Sequence, residues 1–163
     1  MRYALVSDHH HYFKQHGSIA FEGLFTPFVL PEGEGRDLWR GDEAIALLVK
    51  SKKLAEVATQ LIAVRPLRLL YDQRITLLEG ATLEEMSAFQ GVVGGWHLDP
   101  NGVATFFSKT APLNLGPGLL VVYGTAGAVY TRNGRDPYRS TLRTLGYDYG
   151  DRLNERTHPL VLS

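Results

Sequence analysis

An α+β fold, a single domain with a mainly antiparallel sheet and two or three helices packed on it, is what this sequence predicts. Three observations carry the prediction. Apolar runs flank two glycine-bearing segments, Asp99-Pro100-Asn101-Gly102 and Gly124-Thr125-Ala126-Gly127, which reads as two hairpins rather than βαβ alternation. Leu54, Val57, Ala58, Leu61 and Ile62 recur at helical spacing and form one apolar stripe, the core-facing side of a helix. A chain of 163 residues fits one domain, residues 1–163, in which folding buries roughly 70% of the surface exposed by the unfolded chain.

Taken in order, residues 2–7 are short and apolar and read as a buried strand, followed by a polar histidine-rich connection over residues 8–17. Ile19 and Phe21, then the apolar residues 24–30, suggest extended structure; the interior Pro27 confines the second part to an edge strand or irregular segment. Residues 31–37 hold two glycines and a proline and form the clearest loop, leading to Asp42 as an N-cap. The helical stretch that follows ends before Pro66. Residues 67–71 and 74–78 are short strand candidates around Asp72-Gln73. Thr82-Leu83-Glu84-Glu85 has the capping-box pattern and predicts a short helix to about Gln90, ended by Gly91. The two hairpins come next. Asp136 at N-cap, Pro137 at N1 and Gly146 at C′ then predict a helix over residues 136–145, and the apolar 160–162 tail predicts a final strand.

Composition narrows the function classes. Seventeen basic residues balance seventeen acidic ones, so no global field steers the chain to nucleic acid or an anionic membrane. Cysteine is absent, which removes disulfides, thiolate catalysis and sulfur-bound zinc. The four-residue apolar run at the start is too short for a signal-peptide core, and no stretch of about eighteen apolar residues occurs; the expectation is a soluble, cytoplasmic protein with no membrane contact.

Four of the six histidines, His9, His10, His11 and His16, fall within eight residues, and histidine is both the commonest metal ligand and the side chain that titrates nearest neutrality. If the strand continues through them, His9 and His11 share a face. Ligands completing a metal set have no visible spacing, so no metal site is expected, and a solvated polar loop is the favoured reading over a metal ligand or general base. His97 and Asp99 would share a strand face beside Trp96, a pairing able to orient an imidazole in a pocket, although an ordinary hairpin end predicts the same letters. On the predicted C-terminal helix Arg135, Arg139 and Arg143 form a basic stripe near Tyr138, suited to an anionic ligand, while neighbouring acids favour a plain solvated face. The Gly124-to-Gly127 segment resembles a phosphate loop only superficially, because strand residues rather than a helix follow it.

Without a complete catalytic motif, the sequence predicts a small binding or assembly protein, a homo-oligomer on the general frequency of such assemblies, with a protein partner or a small anionic ligand. Nucleic acid is disfavoured and no cofactor is implied. The alternative is a small enzyme acting on an anionic small molecule, using His9 or His11 as general base or metal ligand together with His97, Asp99 and the C-terminal arginines.

Overall fold

The computed structural model describes residues 5–23 and 34–162. Six antiparallel strands make one curled sheet in the order β1-β5-β4-β7-β2-β8, formed by β1 (Ser18–Phe21), β2 (Leu67–Ile75), β4 (Phe89–Leu98), β5 (Ala104–Ser108), β7 (Gly118–Tyr130) and β8 (Leu160–Leu162). A second, two-stranded sheet joins β3 (Leu78–Glu79) to β6 (Asn114–Leu115). The helices are α1 (Ser7–His16), α2 (Glu43–Val49), α3 (Lys52–Ile62) and the one-turn α4 (Leu83–Met86). The architecture is α+β with an antiparallel sheet, as the sequence predicts.

Side-chain alternation divides the core into two layers. Trp96, Leu98, Phe106, Val121 and Tyr123 point to the face covered by α1, α2 and α3, where Leu54, Val57, Ala58 and Leu61 supply the predicted stripe. On the opposite face Phe107, Leu120 and Val122 pack with Leu83 and Met86 of α4, Leu115 of β6 and the C-terminal Leu142 and Leu153. The largest buried ring, Trp96, is satisfied inside the first layer, its indole N–H donating to the Tyr123 hydroxyl at 2.7 Å.

Several local expectations hold for the physical reasons that prompted them. Asp42 caps α2 by accepting from the Ile45 amide, and the Thr82–Glu85 capping box forms. The hairpin between β4 and β5 turns on Asp99, whose Oδ1 accepts from the amides of Asn101 and Val103, each at 2.9 Å.

Other expectations are corrected. Residues 8–17 are not a loop: α1 occupies Ser7–His16, held by Phe13 as its buried anchor, the His9 Nδ1 accepting from the Val6 amide, and Gly17 at φ 77 as a left-handed C-cap. Leu5 and Val6 precede it without strand pairing, and residues 2–4, like the edge strand expected over residues 24–30 and the start of the 31–37 loop, lie outside the described residues. Asp72 does not mark a turn; β2 runs straight through it while its carboxylate accepts from the Leu38 and Trp39 amides at 3.0 and 3.1 Å. The helix begun at Thr82 stops at Met86 because Phe89 already pairs in β4.

The second hairpin is also replaced, by the single thirteen-residue strand β7. Neither Gly124 nor Gly127 adopts the positive φ that a tight turn would use. Gly124 is instead a close-approach residue: a Cβ there would lie 2.9 Å from both Leu70 methyls and 3.0 Å from the Gly91 carbonyl oxygen. Finally, residues 137–140 form turns and only Thr141–Leu145 winds into a 3-10 helix. Asp136 Oδ1 does accept from the Tyr138 amide as a cap would, but its other oxygen is committed to Arg36 and to the Ala88 amide. The carboxylate anchors the segment to the sheet rather than starting a helix.

Candidate functional site

The cross-strand register lines up one row of side chains on the face opposite α1, α2 and α3. Thr105 of β5 sits opposite His97 of β4, His97 opposite Leu120 of β7, and Leu120 opposite Gln73 of β2. Directly paired residues share a face. His97 therefore turns away from its neighbours Trp96 and Leu98, and lies at the floor of a cleft of about 440 Å³ lined also by Asp99, Asn101, Thr105, Asn114 and the Leu115–Pro117 segment.

His97 is 5% exposed, and burial, the largest influence on it, lowers its pKa; the hydrogen bond to Gly116 and the charge of Asp99 oppose that shift. Its Nε2 lies 3.1 Å from the Gly116 carbonyl oxygen. A carbonyl can only accept, so Nε2 carries the proton and the lone pair of the neutral ring is on Nδ1. Gly118 makes this geometry possible: a Cβ there would fall 2.3 Å from His97 Nε2 and 2.6 Å from the Leu98 carbonyl oxygen. Asp99 lines the same cleft, yet its Oδ1 is spent on the hairpin turn rather than on the imidazole.

Beyond Leu120 the row continues into a buried polar node. Arg36 donates through Nε and Nη2 to Gln73 Oε1 at 3.1 and 2.9 Å, and through Nη1 to Asp136 Oδ2 at 2.8 Å, with the two ionic side chains only 2% and 1% exposed. The guanidinium lies 3.7 Å from the centre of the Tyr71 ring and 4.7 Å from that of Tyr138, and the Tyr71 hydroxyl shares a 2.6 Å hydrogen bond with Ser87. Sequence reasoning missed Arg36, Gln73 and Asp136 as a unit, since residues 100 positions apart carry no local signal. Thr105 was findable, because the turn at Asp99 sets the register that pairs it with His97.

The remaining predicted residues are placed apart from the cleft. His9 packs edge-on against Phe21, whose ring meets Phe106 in the helix-covered layer, so α1 and His97 are on opposite faces of the sheet. On a helix, positions 9 and 11 are about 200° apart and no longer share a face. Among His9, His10, His11 and His16 no two are three or four residues apart, the spacing at which helical side chains are neighbours. Arg135 and Arg139 are exposed, the latter donating to the Asp136 carbonyl oxygen at 3.2 Å, while Arg143 stacks on Tyr149 at 4.8 Å; Tyr138 is the second ring over Arg36. None of these four lines the His97 cleft.

No protein-family model matches the chain, and no curated protein matches it. Solved structures do resemble it. The non-heme alpha ketoglutarate dependent epimerase SnoN from nogalamycin biosynthesis superposes with a TM-score of 0.72 at 14% identity, over 94% of this chain and 97% of that one. The non-heme alpha ketoglutarate dependent carbocyclase SnoK, from the same biosynthesis, gives a TM-score of 0.72 at 12% identity over 96% of each chain. CT296 from Chlamydia trachomatis gives 0.58 at 22% identity, over 77% of this chain and 99% of that one. At these identities the chain shares a fold with two small-molecule enzymes and with CT296.

Proposed function

We propose that this protein binds a small, polar, uncharged molecule in the His97 cleft, with the neutral imidazole as its central polar contact and proton acceptor. The observation that carries the reading is a buried histidine, oriented by the Gly116 carbonyl and held toward its neutral form by burial, in an open cleft. Clefts of this size with a few converging polar groups are ordinary small-molecule sites, and a desolvated titratable group inside one is a candidate functional residue. Among the described residues no lysine or arginine lines it and Asp99 does, so its chemistry suits an uncharged ligand better than an anion. An enzymatic role would be proton abstraction by His97 Nδ1, with Thr105 and Asn114 holding the ligand.

SnoN and SnoK are non-heme enzymes, which raises a non-heme iron centre, and the residues here do not fit one. Such a centre takes two histidines and one carboxylate with open positions between them. His97 and Asp99 stand two residues apart, but Nε2 holds its proton against Gly116 and Asp99 Oδ1 holds two turn amides. Among the described residues no three His, Cys, Asp or Glu side chains converge on a metal position. The reading therefore uses the imidazole alone.

Assembly into a homo-oligomer finds less support. Among the described residues the exposed large apolar side chains are Val6 and Tyr12 on α1 and its N-cap, Leu47 on α2, Leu77 between β2 and β3, and Leu145 on the 3-10 helix, and apolar side chains dispersed in this way are normal on a monomer's surface. Light scattering tests it, a defined oligomer supporting assembly.

Protein-observed NMR, following the histidine ring resonances during titration with a library of small polar fragments, tests the binding reading. Hits that shift the His97 ring resonances, and that vanish in His97→Ala and Thr105→Val, are the expected result. Hits that ignore both substitutions refute it.

A further inference from the structure

A second cleft, at the other end of β4, has a different chemistry. It also encloses about 440 Å³, and its polar lining comes from Glu84, Ser87, Gln90, Lys109 and the Thr131–Asn133 segment, with Gly91 beside them. Two cations face one acid. Lys109 meets Glu84 at 3.3 Å, but each side chain is 49% exposed, and an exposed pair of this kind is weak and readily exchanged. Arg132 has no carboxylate partner among the described residues; its guanidinium stacks at 5.1 Å over the Tyr149 ring, which orients the flat fork while leaving its edge donors available.

The backbone opens the space. The pairing of β4 with β7 shifts register between Gln90 and Val92, where the extra residues 125–128 belong to β7, and again between Val92 and Gly94, where the extra residue belongs to β4; Gly91 takes φ 97, where a Cβ would sit 2.9 Å from Thr125 Oγ1. Bulges of this kind bend a strand and re-aim its side chains, and they concentrate beside binding sites. The acceptors nearby are already spent: Asn133 Nδ2 covers the carbonyl oxygens of Glu85 and Ser87 at 3.0 and 2.9 Å, its Oδ1 accepts from the Arg135 amide, and Ser87 is bonded to Tyr71. Beside the Glu84 carboxylate, which the Lys109 ammonium already meets, the cleft therefore presents to an incoming group the donors of the Arg132 fork, the Lys109 ammonium, the Gln90 amide and the Thr131 hydroxyl.

We propose that this cleft binds the oxyanion group, carboxylate or phosphate, of a small molecule, with Arg132 as the bidentate partner and Lys109 transferring from Glu84 to the ligand. The anionic ligand expected from the sequence is thereby assigned to Arg132 and Lys109 rather than to Arg135, Arg139 and Arg143. The site is distinct from the His97 cleft.

The test titrates the full chain at low ionic strength with succinate and, separately, with inorganic phosphate, followed by ¹H–¹⁵N NMR. Saturable shifts centred on Gln90, Gly91, Arg132 and Asn133 are expected, weakened about tenfold or more in Arg132→Gln and in Lys109→Gln and unchanged in Lys52→Gln, a cation on α3. Saturation by succinate alone assigns a carboxylate ligand and by phosphate alone a phosphate ester; both support the site. No saturation in the millimolar range, shifts centred elsewhere, or binding that survives the Arg132→Gln/Lys109→Gln double substitution overturns it. Both residues are exposed enough for the variants to fold, which their unperturbed spectra would verify.

Discussion

Replacing Asp136 by Ala should cost this protein a large part of its stability. The carboxylate accepts three hydrogen bonds, from Arg36 Nη1, the Ala88 amide and the Tyr138 amide, each at 2.8 Å. Its removal leaves Arg36, 2% exposed in its side chain, without a counterion and leaves two backbone donors without acceptors. Breaking one partner out of a buried pair costs about 3–5 kcal/mol, against a total stability of about 5–15 kcal/mol for a domain. In a chain of 163 residues that corresponds to a melting temperature lower by roughly 6–20 °C. The exposed Lys109–Glu84 pair provides the internal contrast: Glu84→Gln should change stability by no more than about 1 kcal/mol. Urea denaturation followed by circular dichroism measures both. The double substitution Arg36→Met/Asp136→Leu should recover much of the loss, because the dominant penalty is the orphaned charge and not the missing attraction. A loss below about 1 kcal/mol in Asp136→Ala, or a double variant as unstable as the single one, would refute the account of this node as the brace that ties the C-terminal segment to β2.

Gly118→Ala should strike the His97 cleft directly, since the new methyl would overlap the imidazole and the Leu98 carbonyl. The expected outcome is a loss of about 1–3 kcal/mol and, by NMR titration, a His97 pKa moved back toward 6.5 as the ring is pushed toward solvent and burial, the largest influence on it, is relieved by more than the Gly116 hydrogen bond contributes; an unmoved pKa would sink that reasoning. His158 predicts a pH dependence. Burial first, then the charges of Arg40 and Arg68, depress its pKa from 6.5 to about 3, so the unfolded chain takes up a proton that the folded chain refuses. Stability then falls as pH drops below 6.5 toward 3, by on the order of 1.4 kcal/mol per pH unit. Asp72 and Asp37 act with the opposite sign: burial raises them to about 7 and about 6, so between those values and pH 4 the folded state binds the extra proton and gains stability as pH falls. His158→Phe isolates the histidine, and the gap between wild type and variant should shift by about 2–3 kcal/mol in the variant's favour from pH 7.5 to pH 4.5. A gap independent of pH would show that the buried ring is not the source.

What the sequence reveals and conceals follows from the range of each interaction. The caps at Asp42 and Thr82, the α3 stripe and the Asp99 turn depend on residues within a few positions of one another, and all formed as read. Expectations failed where a short polar or glycine-bearing segment was assigned by composition alone. Gly124 looks like a turn residue but serves the contact with Leu70, and Asp136 looks like a cap but serves an arginine far upstream. The histidine cluster failed differently, through its period: with period 2, His9 and His11 would be partners, and with period 3.6 they diverge, so one wrong local assignment dissolved the site built on it. The His97 and Asp99 pair, by contrast, did reach one cleft, because a hairpin end is a local structure. The Arg132 cleft combines residues from three strand ends and a helix, and no window of sequence contains it.

The middle of β4 shows why the two clefts lie where they do. A Cβ on Gly95 would stand 2.2 Å from the Val121 carbonyl oxygen, and one on Gly94 would stand 2.6 Å from both Ile62 Cδ1 and the Phe107 carbonyl oxygen. The strand's neighbours close so tightly at these positions that even a methyl group has no room, and the space a ligand would need is filled by Phe107 and Val122 on the paired strands. Past this closed centre the sheet opens toward the Asp99 hairpin, where His97 meets polar groups, and toward the register shift at Gly91, where Lys109 and Arg132 stand. From Val92 to His97 is roughly 16 Å along the strand, with packed core between. The glycines of β4 thus serve two ends: at positions 94 and 95 they permit the packing that separates the clefts, and at 91 a positive φ permits the bend that opens one of them. A substitution at Gly94 or Gly95 would act on the fold as a whole, whereas the chemistry of each cleft can be altered from its own end.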